Sequence, residues 1–289
     1  MKLRLVISIA LLTIIPLTSC RQKEKSSDVN IIFLHHSTGN VIWYGTKISL
    51  VTRAAKKISD RLANIIGTKA RLPLLFKKYN KEYNKNYIIK EISFPKATPY
   101  GWNNYPYDYY NIWVKNAGEE PYMKEPTLEI LTKKYQIIIL KHCFPVSNIK
   151  ADQDSADINS YYKSISNYKL QYSALRDKFH AFPETKFILF TGAVQVKSFI
   201  TEDEAKRAKE FHNWVTDEWD LPGDNVYLWD LYSLQTNGGL YFKDEYAVSA
   251  GDSHPNVDFA GKAVKLLFNR IIDIIENDGS KTLLTGEKK

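Results

Sequence analysis

The stretch Val29-Asn30-Ile31-Ile32-Phe33-Leu34-His35-His36-Ser37-Thr38-Gly39-Asn40 decides the fold. Its first six residues form a short apolar run bounded by polar ones, which reads as a strand buried on both faces. The run then breaks into small and polar residues, as a strand-to-helix turn does. Downstream the same alternation repeats. Residues 47–66 carry Ile48, Val51, Ala54, Ile58, Leu62 and Ile65 at helical spacing and stop at Gly67, a C-cap. Leu72-Pro73 opens a helix to about Tyr83, and Tyr87–Phe94 alternates as a strand. Pro126 starts a short helix, Tyr135–Leu140 is an apolar strand, and 155–180 suits a long helix. Lys186–Thr191 is a strand, and Thr201-Glu202-Asp203-Glu204 fits a capping box opening a helix to about Trp219. Asn225–Leu231 is a strand, and Pro255 stands at the first position of a last helix to about Glu276. Strand and helix in alternation predict the α/β class: a three-layer α/β/α sandwich around a five-stranded parallel sheet, in one domain over 29–277. Residues 95–125 show no clear period and read as a long loop, and 278–289 as a flexible tail.

Of the 289 residues, 44% are hydrophobic and 25% charged, which excludes a disordered or collagen-like chain. The net charge of +8 drops by two if Lys2 and Arg4 are removed with a leader. Such a charge mildly favours anionic surfaces, but the basic residues are scattered, and no nucleic-acid partner is expected. Two cysteines, Cys20 and Cys143, exclude a disulfide framework.

Lys2 and Arg4 precede an apolar run from Leu5 to Leu17, short for a membrane span and right for a secretory signal. An ordinary cleavage near Ser19 and an uncleaved anchor are the alternatives. Leu17-Thr18-Ser19-Cys20 resembles the bacterial lipobox. That resemblance implies removal of residues 1–19 as a lipoprotein signal peptide and lipidation of Cys20, with 20–28 as a polar tether. The expected location is the bacterial cell envelope, lipid-anchored at the outer membrane and facing the periplasm or the surface, with acyl chains holding the protein to the membrane rather than a helix threading it.

In open α/β sheets ligands bind beyond the carboxyl ends of the strands. Ser37 follows the first strand, with Gly39 two residues on; a serine there needs a base to take its proton. His254 is a candidate base, and Asp252 its orienting carboxylate, provided that the loop turns sharply between them. The bland readings are an ordinary turn for His-Ser-Thr-Gly and a helix N-cap for Asp-Ser-His-Pro; the pairing of the two blocks is the more specific signal. Phe33 to Gly39, together with Asp252-Ser253-His254-Pro255-Asn256 and Gly261, resembles the SGNH, or GDSL-type, hydrolases, a family with a flavodoxin-like sandwich. The resemblance spans about residues 29–275. It implies Ser37 as nucleophile, His254 as base and Asp252 as orienter, with the Ser37 N–H, Gly101 and Asn148 holding the oxyanion. His142 is a further donor candidate. Two departures stand out: the family's acidic residue falls three before its histidine, on Gly251 here, and no Gly-x-Asn-Asp follows the third strand.

Histidines 35, 36, 142 and 254 invite a metal reading, but zinc-like spacing is missing and neither metal nor cofactor is expected. Cys143 reads as a small buried hydrophobe. Tyr100, Trp102, Tyr105, Tyr107, Tyr109, Tyr110 and Trp113 are interleaved with Gly, Asn, Pro and Asp. They read equally as core and as an exposed platform for sugars, with Trp102 and Tyr105 as the substrate-binding candidates. Together these residues predict a lipid-anchored serine esterase acting on an acylated carbohydrate or another small ester. The alternative is an inactive glycan-binding lipoprotein on the same fold.

Overall fold

The computed structural model describes residues 28–58, 67–101 and 104–289. The leader, Cys20 and Trp102 lie outside them. Strand β1 (Val29–His35) sends Ile31 and Phe33 to one face and Ile32 and Leu34 to the other, all buried. Its centre, Ile31 to Leu34, is apolar because both faces are covered. It is joined by β2 (Tyr87–Ser93), β3 (Ile137–Leu140), β4 (Lys186–Phe190) and β5 (Val226–Trp229) in a parallel sheet of order β2-β1-β3-β4-β5. This is the flavodoxin-like strand order. Ile31 stands level with Ile89 and Ile137, and Ile137 with Lys186.

The connections carry α1 (Thr38–Tyr44), α2 (Leu50–Ile58), α3 (Arg71–Tyr83), α4 (Pro106–Tyr110), α5 (Leu128–Thr132), α6 (Ile165–His180), α7 (Glu202–Trp214), α8 (Leu231–Thr236) and α9 (Val257–Asn277). One apolar layer joins Ile31, Phe33, Ile139 and Phe190 to α1, α3 and α9. The other joins Ile32, Leu34, Leu140 and Leu189 to α4, α5, α6 and α7. The three-layer α/β/α sandwich is therefore built from the alternating sides of the same strands.

Four expectations change. Residues 95–125 are not all loop: α4 runs on through a wide turn over Asn111–Lys115 and buries Tyr109, Ile112 and Trp113. The long helix expected over 155–180 begins only at Ile165, capped by Ser164, because Asp157 takes the Asn159 N–H at 2.8 Å and folds a turn instead. Pro255 does not open α9; it closes β7 (Asp252–Pro255), which pairs antiparallel with β6 (Ala247–Ser249). Asn256 is the cap, its Oδ1 accepting the Phe259 N–H at 2.9 Å.

The tail 278–289, expected flexible, is docked. Leu284 O accepts the Asp230 N–H at 2.9 Å and Thr285 O the Trp229 indole N–H at 3.0 Å. Inside α9, buried Asp273 accepts the Thr282 N–H at 2.8 Å, and neighbouring Arg270 donates to Gly279 O at 2.8 Å. A polar, charged tail sequence hides these partners because they come from the strand end and the helix, not from the tail.

Candidate active site

Ser37 lies two residues beyond β1 and immediately before α1, with φ 48° and ψ −107°. A non-glycine residue in this region is strained by about 1–3 kcal/mol, and such strain persists where surroundings over-determine it. The turn is held from below. Gly39 N–H donates to His36 O at 2.9 Å, and Lys141 Nζ, from the end of β3, donates to the same carbonyl at 3.2 Å. Gly39 is needed for packing: a Cβ there would stand 2.4 Å from His35 Cβ and 2.9 Å from Lys141 Cδ. Its φ is not in the left-handed region, so its smallness, not backbone freedom, is what the turn uses.

The Ser37 hydroxyl donates to His254 Nε2. His254 Nδ1–H donates in turn to Asp252 Oδ1 at 2.5 Å, and the same oxygen accepts the His254 backbone N–H at 2.9 Å. No sharp turn brings the two together. In β7 residues two apart leave the same side of the strand, so the two-residue spacing places carboxylate and imidazole side by side. Partial burial pushes the Asp252 carboxyl up, but the two His254 donors outweigh it and hold it below its ordinary value. Phe144 stands edge-on to the His254 ring at 5.3 Å. Asn256 Nδ2 ties the far end of β7 to Glu245 O at 2.7 Å, and Ser253 Oγ accepts the Val196 N–H at 3.1 Å.

The expected oxyanion donors are engaged elsewhere. Gly101 N–H donates to Ala97 O at 3.0 Å. Asn148 Nδ2 points its two hydrogens at Phe199 O and Glu204 Oε2, 3.3 and 3.4 Å away, while its Oδ1 accepts from Gln195. His142 is no donor either. Burial holds its imidazole neutral, with the pKa lowered to about 3, and Nδ1 spends its hydrogen on Asn104 O at 3.1 Å. Nε2 is then a bare lone pair.

The other histidines do not converge with His254 on one centre. His35 Nε2 pairs with Glu91 at 3.0 Å, and His36 Nε2 with Pro95 O. Burial keeps His36 below its ordinary pKa, against the pull of the Pro95 carbonyl and helped by Lys141. The aromatic segment divides. Tyr100, Tyr109, Tyr110 and Trp113 are core. Tyr105 is half-buried against that core with the Lys163 ammonium 5.4 Å over its ring, so it forms no open platform. Cys143 is buried.

Sequence reasoning missed Lys141. It is fully buried, burial pulls its ammonium below its ordinary pKa, and among the described residues its ammonium meets, beside His36 O, only Cys143 Sγ at 3.8 Å. A lysine at the end of an all-apolar strand was the signal, since the strand itself is covered on both sides.

Among the described residues, no helix is long and apolar enough to cross a membrane. No family model and no curated protein matches the chain. One solved structure, of a carbohydrate esterase whose active site displays divergent catalytic and non-catalytic binding functions, aligns with 85% of this chain at 12% identity and a TM-score of 0.38. The alignment takes in 65% of that protein, so this chain spans just under two thirds of its length.

Proposed function

We propose that the protein is a serine ester hydrolase of SGNH type, lipid-anchored through Cys20 in a bacterial cell envelope, and that its substrates are acyl esters of carbohydrates. The observation that carries this reading is the unbroken hydrogen-bond chain from Ser37 through His254 to Asp252.

As the Ser37 oxygen attacks the acyl carbonyl, His254 Nε2 takes the serine proton and Asp252 stabilises the imidazolium that forms. The Ser37 N–H would donate to the oxyanion. Collapse of the tetrahedral intermediate breaks the ester C–O bond. His254 returns its proton to the departing sugar oxygen, leaving the acyl group on Ser37. A water then gives its proton to His254 and attacks the acyl carbon, and the serine leaves carrying that proton back.

A glycan-binding lipoprotein without turnover is the second reading, favoured by the engaged donors of Gly101 and Asn148. A fluorophosphonate probe separates the two. Labelling of the wild type, abolished in Ser37→Ala, is expected; an unlabelled wild type that still binds glycan would establish the second reading in place of the first.

A further inference from the structure

A groove of about 800 Å³ opens at the end of β2, beside the nucleophile turn. Ser93, one of its residues, is level with His35 in the sheet, and Pro95, whose carbonyl binds His36, leads straight into Lys96 on the groove wall. The opposite wall is the tight turn Tyr122–Glu125, closed by the Tyr122 N–H on Glu125 O at 3.0 Å and the Glu125 N–H on Tyr122 O at 2.8 Å. Its two central residues, Met123 and Lys124, have φ of 46° and 71°. Turns of that shape ordinarily take Asn-Gly, because left-handed backbone strains residues with larger side chains. Here the two strained positions present a half-exposed thioether and an exposed ammonium to the groove.

The walls are bolted together. The buried Glu125 carboxylate accepts from both the Lys96 and Ala97 N–H groups. That carboxylate is held by backbone N–H groups rather than by a lysine, and neither Lys96 nor Lys124 has an ion-pair partner among the described residues, so two ammonium groups outnumber one carboxylate in the groove. The groove of about 750 Å³ around Asp220 and Arg270 carries the carboxyls of Asp220, Asp224 and Asp278 beside its basic groups, with Lys186 paired to Asp278 and His180 to Asp224.

We infer that the groove beside Ser37 is a subsite for a sugar bearing an anionic group, a carboxylate or a sulfate, adjacent to the esterified position. Lys96 and Lys124 meet the charge from two sides, and Met123 with exposed Ile92 offers an apolar surface to the ring. This rests on the esterase reading for its catalytic half, but binding can be tested without turnover.

The experiment compares kcat/KM for an acetylated oligouronide, the same oligomer with its carboxyls reduced to alcohols, and an acetylated sulfated oligosaccharide. The wild type should favour the charged substrates over the neutral one by about tenfold at low salt, and the preference should shrink with added sodium chloride. Which charged substrate is preferred tells carboxylate from sulfate. Lys96→Gln with Lys124→Gln should bring the charged-to-neutral ratio close to one, since each exposed charge is worth up to about fivefold. Lys124→Arg should keep the preference, which a folding defect would not allow. Equal rates on all three substrates in the wild type, or an unchanged ratio in the double variant, would overturn the inference. If no ester is turned over at all, the esterase reading fails instead. Titration of the Ser37→Ala protein with unacetylated oligouronide, followed by calorimetry, then decides the subsite: binding lost in the Lys96→Gln, Lys124→Gln background supports it, and no binding at low salt removes it.

Discussion

Ser37 is held in an unfavourable backbone conformation with its hydroxyl already bonded to His254. Ser37→Ala should abolish esterase turnover, and His254→Ala should cost a similar factor because the hydroxyl then has no proton acceptor. The double variant should be barely slower than either single one, since members of one catalytic unit are not additive. Asp252→Ala should cost less, about ten- to a thousandfold, because an imidazole with no orienting partner still accepts a proton. Full activity in Asp252→Ala would leave a serine-histidine dyad. Lys141 gives a second test. A buried ammonium without a carboxylate is costly, yet here it fastens the carbonyl that precedes Ser37. Lys141→Met should therefore raise the melting temperature while kcat falls by about tenfold, the loss of a positioning contact worth about 1.4 kcal/mol. A kcat unchanged by that substitution would remove its positioning role. Ser37, His254 and Asp252 were legible because two short blocks, one after the first strand and one just before the last helix, announce them. Gly101 and Asn148 were not, because a donor is free or engaged according to partners such as Gln195 and Glu204, far along the chain.

At the scale of elements, the strands and the capped helices follow from local pattern, and Thr201 with Glu204 forms the expected capping box. What local pattern hides is any element whose apolar residues are interleaved with turn formers, as in α4, or whose partners are remote, as in the tail. Gly286 makes the tail's docking testable. It has φ 88°, and a Cβ there would stand 2.0 Å from Leu266 O in α9. Gly286→Ala should lower stability by about 1–3 kcal/mol, read as a reduced denaturant midpoint. An unchanged midpoint would mean that the tail contributes nothing to the fold.

For the whole molecule, a buried carboxyl, Asp108, and a half-buried one, Asp220, set an acid-side trend. Burial raises Asp108 to about 6, against the Tyr105 and Asn104 N–H groups. Burial, with the Asp224 charge, also raises Asp220 to about 6. A carboxyl whose folded pKa lies above its unfolded one stabilises fully below the unfolded value and loses that contribution as pH rises through the folded value. Their contribution should grow on acidification from pH 7 to 5, and Asp108→Asn should flatten the trend while gaining about 1–3 kcal/mol near neutrality. Glu204 is pushed up by its partial burial, but hydrogen bonds from Lys150, Thr201 and Asn148 hold it at about 2, so it acts in the opposite sense and only as pH falls through the ordinary carboxylate range. Denaturation curves at pH 5 and 7 for wild type and variant check this; parallel shifts in both would refute it. The proposed anchor is tested separately: Cys20→Ala should abolish metabolic labelling with a fatty acid and free the protein from membranes.

Because β1 begins at Val29 and delivers Ser37 beyond its other end, the chain enters the sheet on the side opposite the mouth that holds Ser37. Seven residues of strand amount to about 23 Å. On the proposed anchoring through Cys20, a tether upstream of Val29 would attach to the floor of the molecule and leave the mouth facing away from the bilayer. An esterase mounted as proposed would meet substrates arriving from the solvent side rather than the acyl chains of the membrane beneath it.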